Sequence, residues 1–165
     1  YANNFILACG ATQTPMILKR SFGNKFLKSE MNVHLNLRVG IRFEEEMLAD
    51  SGIMFSRQIQ EYLDDGVLIM PTSFSKSSFF SSLAKMDNKE LFKISNELKY
   101  YSNFIIQIQS KNKVNIDSFH NNVLLTYKLN FDDLKKIKKY LIIFFKYMFD
   151  LGAIEIFLPL KKILK

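Results

Sequence analysis

Leu35-Asn36-Leu37-Arg38-Val39-Gly40-Ile41-Arg42-Phe43 places an apolar residue at every second position and a polar residue or glycine between. Successive side chains of a strand point to opposite faces, so this pattern predicts a strand with one buried face. Downstream the period changes. From Phe131 to Leu151 the apolar residues Leu134, Ile137, Leu141, Phe144, Phe145, Met148 and Leu151 fall three or four apart, which is the stripe of a helix against a core. Asn130 is its candidate cap, and Gly152 stands just past its end. The run from Ala153 to Leu158 resumes as a strand.

Between these landmarks lie further short elements. Gln58 to Leu63 and Val67 to Met70 flank Asp64-Asp65-Gly66 and predict a hairpin. A Ser-rich stretch from Ser73 to Ser82 leads into helix-compatible residues, and Asn88 is expected to cap a helix carrying Leu91, Ile94 and Leu98 on one stripe. Asn103 to Gln109 alternates, the polar run Lys111-Asn112-Lys113 is expected to turn the chain, and Val123 to Leu129 supplies another strand. Strands joined by tight turns must be antiparallel. At the start of the chain, Phe5 to Ala8 is expected as a strand, Ala8-Cys9-Gly10-Ala11 as a tight turn, and Thr14-Pro15 as the N-cap and first position of a helix. The fold class that follows is α+β: a mainly antiparallel sheet with helices packed on one face, preceded by one βα unit. A boundary is expected near the polar run from Asn24 to Glu30, dividing residues 1–30 from residues 31–165.

The chain has 165 residues, 48% of them hydrophobic, enough for a packed core. Its longest apolar run, Leu141 to Phe145 behind Tyr140, is far short of the roughly 20 residues of a membrane-spanning helix, and the chain is expected to be soluble, in cytoplasm or periplasm. One cysteine excludes an intramolecular disulfide and a multi-cysteine metal site. The formal charge of +7 comes mostly from scattered lysines beside 16 Phe and no Trp, a bias that fits an AT-rich coding sequence. Lys135, Lys136, Lys138, Lys139 and Lys146 lie beside the apolar stripe of the long helix. Such a helix can rest on an anionic membrane, but a core-facing stripe with solvated lysines is the simpler account.

No Walker loop occurs. His34 and His120 are far apart in sequence, Glu44-Glu45-Glu46 cannot all face one site in regular structure, and no basic partner is implied for Cys9. No catalytic residue and no metal ligand is therefore assigned. Small residues at a strand-to-helix turn do let a ligand approach the backbone, and the helix N-terminus behind them favours negative charge.

The run Phe5-Ile6-Leu7-Ala8-Cys9-Gly10-Ala11-Thr12-Gln13-Thr14-Pro15-Met16-Ile17-Leu18-Lys19-Arg20-Ser21 resembles the second signature of the glucose–methanol–choline oxidoreductases. In that family a hydrophobic strand ends in a small-Gly-Ala turn, and a Ser/Thr-Pro pair opens a helix. Here Ser21 is followed by Phe22 before Gly23, where the family has Ser-Gly. His34-Leu35-Asn36-Leu37-Arg38-Val39 is similar to the family's His-Pro segment and strand, with Leu35 in place of Pro. The stretches from Gln60 to Thr72, from Tyr127 to Leu134 and from Leu151 to Pro159 resemble later parts of the family in the same order.

The resemblance implies a fragment of an FAD-dependent oxidoreductase acting on CH–OH groups, with hydride transfer to flavin N5. Residues 1–30 would close a Rossmann-like FAD domain, and residues 31–165 would form part of the substrate-binding domain. Ala8, Cys9, Gly10, Ala11 and Thr14 would contact FAD. The family's Gly-rich FAD fingerprint and catalytic His segment have no counterpart here, so the chain alone is expected to be inactive. Its implied partners are a small-molecule alcohol, the remainder of the FAD domain and the catalytic C-terminal segment; neither nucleic acid nor a membrane is expected. The alternative is a non-enzymatic basic module that binds anionic lipid or nucleic acid, which would gather Lys and Arg on one exposed face.

Overall fold

The computed structural model describes residues 2–23, 30–51, 57–72, 74–83, 86–119, 122–158 and 163–164. They form helices α1 (Gly10–Phe22), α2 (Lys76–Ser82), α3 (Asn88–Asn96) and α4 (Phe131–Asp150) and strands β1 (Glu30–Phe43), β2 (Val67–Pro71), β3 (Tyr101–Phe119), β4 (Asn122–Thr126), β5 (Ala153–Phe157) and β6 (Ile163–Leu164). The fold is α+β. Its strands follow the order β2-β3-β1-β5-β6, with β4 paired to β3. The pairs β2–β3, β3–β4, β1–β5 and β5–β6 are antiparallel. The chain divides into two units, Tyr1–His34 with Ser110–Leu134, and Leu35–Gln109 with Lys135–Lys165.

The second unit contains the main core. Val39, Ile41 and Phe43 of β1 are buried with Val67 and Ile69 of β2, Ile106 and Ile108 of β3, and Ile156 of β5. Tyr140, Phe144 and Met148, four residues apart on α4, close this layer. Burying each such side chain contributes about 1.5–3 kcal/mol, which is why the stripe on α4 settles against the sheet and not in solvent. Parity along the strands gives the reverse face a second layer. Ile156 joins the first core, whereas its neighbour Phe157 packs with Phe74, Phe79, Leu83, Ile94 and Tyr101. α4 thus covers one face, and α2 and α3 lie against the other, so the expectation of helices on one face only is corrected: the sheet carries apolar side chains on both faces, and each face needs its own cover. Gly40 belongs to this reverse side: a Cβ there would meet the Phe79 ring at 2.9 Å, so the strand's one glycine makes room for an aromatic ring.

Several local expectations are met. Asn130 Oδ1 accepts from the Asp133 N–H at 2.6 Å and caps α4, while Gly152, at φ +90°, ends it and leads directly into β5. α3 begins where expected, but its cap is Asp87, whose side chain accepts from the Glu90 N–H. Ile94 is buried in the reverse-face core with Leu91 and Leu98 packed against it.

Other local expectations are corrected. Lys111-Asn112-Lys113 does not turn the chain; β3 runs through it for 19 residues. No glycine or proline interrupts the run, and its polar groups find partners along the strand: Lys113 pairs with Glu30, and Asn112 donates to the Lys128 carbonyl. The first arm of the expected hairpin contributes only an isolated bridge, Ile59 to Ile69. Residues 60–66 instead close tight turns through Leu63 N–H to Gln60 O and Gly66 N–H to Leu63 O. These contacts blunt the β2 edge. Val67 N–H bonds to Tyr62 O, Ile69 N–H to Ile59 O, and Pro71 has no N–H to offer.

Within the first unit, residues 5–8 are not a strand, and α1 starts at Gly10 with Cys9 as its cap residue and Pro15 inside the helix. Thr14 is therefore not the N-cap, and the expected strand–turn–helix is a helix preceded by irregular chain. A strand must spend its backbone groups on a neighbour, and among the described residues none pairs with 5–8. Met16 is the buried residue of α1, and Lys19 bridges to Asp117 of β3 at 3.0 Å. Residues 24–29, where the boundary run lies, and His120 are outside the described residues.

Candidate functional site

The second unit contains a cavity of about 900 Å³, within the usual range for small-molecule sites. Its walls come from segments far apart in sequence: Phe43 at the end of β1, Ile69 and Met70 on β2, Phe104 on β3 and Met148 on α4. The sheet brings these strands side by side, and α4 lies across them, so the cavity opens where the packed layer ends. Leu151 and Gly152, just beyond α4, complete the apolar side. The polar groups are Glu44 and Glu45, at the exit of β1, and Arg57 and Gln58, before the Ile59 bridge. Glu44, Glu45 and Arg57 enter no ion pair among the described residues. The third glutamate of the run, Glu46, is engaged differently, in an ion pair with Lys99 that raises the lysine's pKa, chiefly through their hydrogen bond. Strand alternation picked out Phe43 and helical spacing Met148 as core residues, but nothing in a sequence window joins them to Arg57 or Phe104.

The residues expected at a cofactor lie together at the start of α1. Ala8, Cys9, Gly10 and Ala11 are exposed, and Thr14 is half-buried. Thr14 Oγ1 reaches back to accept from the Cys9 N–H at 3.2 Å. Gly10 has φ +80°, and no atom lies within 4 Å of where its Cβ would be. Small side chains and open space leave the backbone of this turn accessible. His34 is exposed on β1. No group of three or more His, Cys, Asp or Glu residues that could hold a metal occurs among the described residues.

The lysines of α4 do not form one free face. Lys136 donates to the Asp65 carbonyl at 2.7 Å, and Lys139 to the Asp65 carboxylate at 3.2 Å. Tyr140 also donates to that carboxylate, and this hydrogen bond, with help from Lys139, lowers the Asp65 pKa. Burial, followed by the bond to Asp65, raises the Tyr140 pKa. The cluster ties the 60–66 turn to α4. No helix among the described residues is long and apolar enough to cross a membrane.

A second polar cluster sits in the first unit. Asp133, 1% exposed, accepts from Ser110 Oγ at 2.7 Å and from the Tyr127 hydroxyl at 2.9 Å. Its position in the first turn of α4 also suits a negative charge. With its acceptors filled by its own chain, this cluster is an anchor for the helix start and not a reactive centre. Comparison with protein families, curated proteins and solved structures finds no match.

Proposed function

We propose that the chain is part of an FAD-dependent oxidoreductase acting on CH–OH groups. The second unit then belongs to the substrate-binding region, and Ala8, Cys9, Gly10, Ala11 and Thr14 lie against the cofactor. The observation that carries this reading is the run from Phe5 to Ser21. Its order of residues resembles a cofactor-contacting signature, and its leading apolar residues lack cover: Phe5 is 84% and Ile6 92% exposed. Such a stretch has the composition of a strand without a neighbour to pair with, as expected if its sheet is completed by the rest of an FAD domain. The open surface over Gly10 is compatible with a ligand approaching the backbone. The cavity under α4 supports a substrate-binding role by offering an apolar enclosure with a few polar groups.

A bound FAD would supply the hydride acceptor for oxidation of the alcohol carbon. This chain would contribute backbone contacts at residues 8–11 and an apolar surface that orients the substrate. No residue described here is assigned the removal of the hydroxyl proton. The test is flavin content of the protein expressed from the complete reading frame that contains this chain. About one released FAD per chain is expected, falling in Gly10→Val and in Gly10→Asn. The asparagine variant tolerates positive φ, so it separates loss of cofactor from backbone strain. Protein purified without flavin, or undiminished flavin in both variants with the fold intact, overturns the reading or its placement of the turn, respectively.

A further inference from the structure

We propose that the cavity at the C-terminal end of α4 binds a small molecule with an apolar body and a cationic head. The inference rests on the cavity alone and does not need the flavoenzyme reading. The body is specified by the walls, where Phe43, Ile69, Met70, Phe104 and Met148 offer no charged group. The head is specified by the electrostatics of the mouth. Glu44 and Glu45 stand there against one cation, Arg57, and no ion pair within the described residues neutralises any of the three. An acidic rim is the opposite of what a chain of formal charge +7 would supply by chance.

The helix adds to the same sign independently. Met148, Leu151 and Gly152 line the cavity, so the C-terminus of a 20-residue helix, with its partial negative charge, lies at this site. Helices usually temper that end with a lysine or arginine, but the last turn of α4 has no basic residue and ends on Asp150. The Leu151 and Gly152 N–H groups bond back to Tyr147 and Phe149, and among the described residues no backbone N–H beyond the helix reaches the end carbonyls of Met148 and Asp150. A ligand cation placed at the mouth would meet two carboxylates and the negative end of the helix, with a single guanidinium opposing it. An anionic head would meet the reverse.

The test is a headgroup series on one alkyl body, octylammonium, octanol and octanoate, titrated into the full chain and followed by NMR of the methionine methyls. The expected result is shifts at Met70 and Met148, with octylammonium bound about tenfold more tightly than octanoate, the combined size of a helix-end and a rim-charge effect. Glu44→Gln with Glu45→Gln should shrink that preference while leaving octanol binding unchanged. Leu151→Trp should weaken all three ligands, because Leu151 lines the cavity while being 70% exposed, and the larger ring obstructs it without entering the packed core. Octanoate binding as tightly as octylammonium refutes the cationic head. Shifts that avoid Met70 and Met148, affinity indifferent to Leu151→Trp, or no binding at all refutes the site. Flavin content of the complete protein is unaffected by any of these outcomes, so the two proposals fail separately.

Discussion

Replacing Gly40 by alanine adds one methyl group at a point of close approach between the sheet and its reverse-face layer. The added Cβ would stand 2.9 Å from Phe79 Cε2, 3.4 Å from Cζ and 3.5 Å from Phe157 Cβ. Ordinary contact requires the ring to retreat by about 0.5 Å or more, since non-bonded carbons prefer roughly 3.5–4.0 Å. Phe79 has little room to do so. It is fully buried, with Phe74, Tyr101 and Phe80 at centroid distances of 4.7, 5.6 and 6.0 Å. Overpacking of this kind costs about 1–3 kcal/mol, while exchanging a strand glycine for alanine recovers about 0.5–1 kcal/mol. The expected net loss is about 1–2 kcal/mol, or roughly 2–8 °C in Tm for a chain of this size. Urea and thermal denaturation measure it directly. Phe79→Leu, destabilising by itself, should remove most of the extra cost of Gly40→Ala, giving a favourable coupling in the double-mutant cycle. A Gly40→Ala protein as stable as the parent, or additive effects in the cycle, would refute the packing argument.

Asp133→Ala should cost about 1–3 kcal/mol in urea unfolding, because it removes the carboxylate that accepts from both the Ser110 and Tyr127 hydroxyls, leaving them to share one hydrogen bond with each other, and takes the charge from the first turn of α4, with Asp133→Asn less damaging. Asn103→Val should stabilise by about 1–3 kcal/mol. Asn103 is fully buried on β3 and, among the described residues, neither of its side-chain polar atoms is hydrogen-bonded, so a lower melting temperature in the variant would show that its amide has a partner in solution. Gly152→Ala should lose about 1–2 kcal/mol to positive φ alone, since no atom lies within 4 Å of the new methyl; equal melting of the two proteins would count against that backbone geometry. Burial holds the tyrosine pKa values up at Tyr101, Tyr127 and Tyr140. The protonated form is thus favoured in the folded state, and stability should be fully present below the ordinary tyrosine value near ~10 and decline as pH rises beyond it. Urea midpoints that stay level through that alkaline range would contradict the burial of these hydroxyls.

The sequence by itself determined the elements whose signal is local. The period-two run at 35–43 and the period-3.6 run from 131 specify β1 and α4, and Asn130 and Gly152 mark the ends of α4, because periodicity, a cap and a positive-φ residue act within a few positions. The buried faces of β1 and of the middle of α4 were also legible, since Ile41 and Phe144 carry their own hydrophobic demand, but Leu134 and Leu151, at the two ends of the expected stripe, are exposed because the core does not extend under them, and Tyr140, outside that stripe, is buried. The failures share a different cause. The strand expected at residues 5–8 needed a partner that no local pattern can provide, and the expected turn at 111–113 gave way to a continuous strand whose polar groups pair with Glu30 and the Lys128 carbonyl. The second layer on the reverse face could not be inferred from Gly40 alone, because a glycine in a strand does not announce the ring that fills its place. Only tertiary structure brought Phe43, Arg57, Phe104 and Met148 around one cavity, because a site is defined by distances between segments and sequence spacing constrains those distances only within a single element.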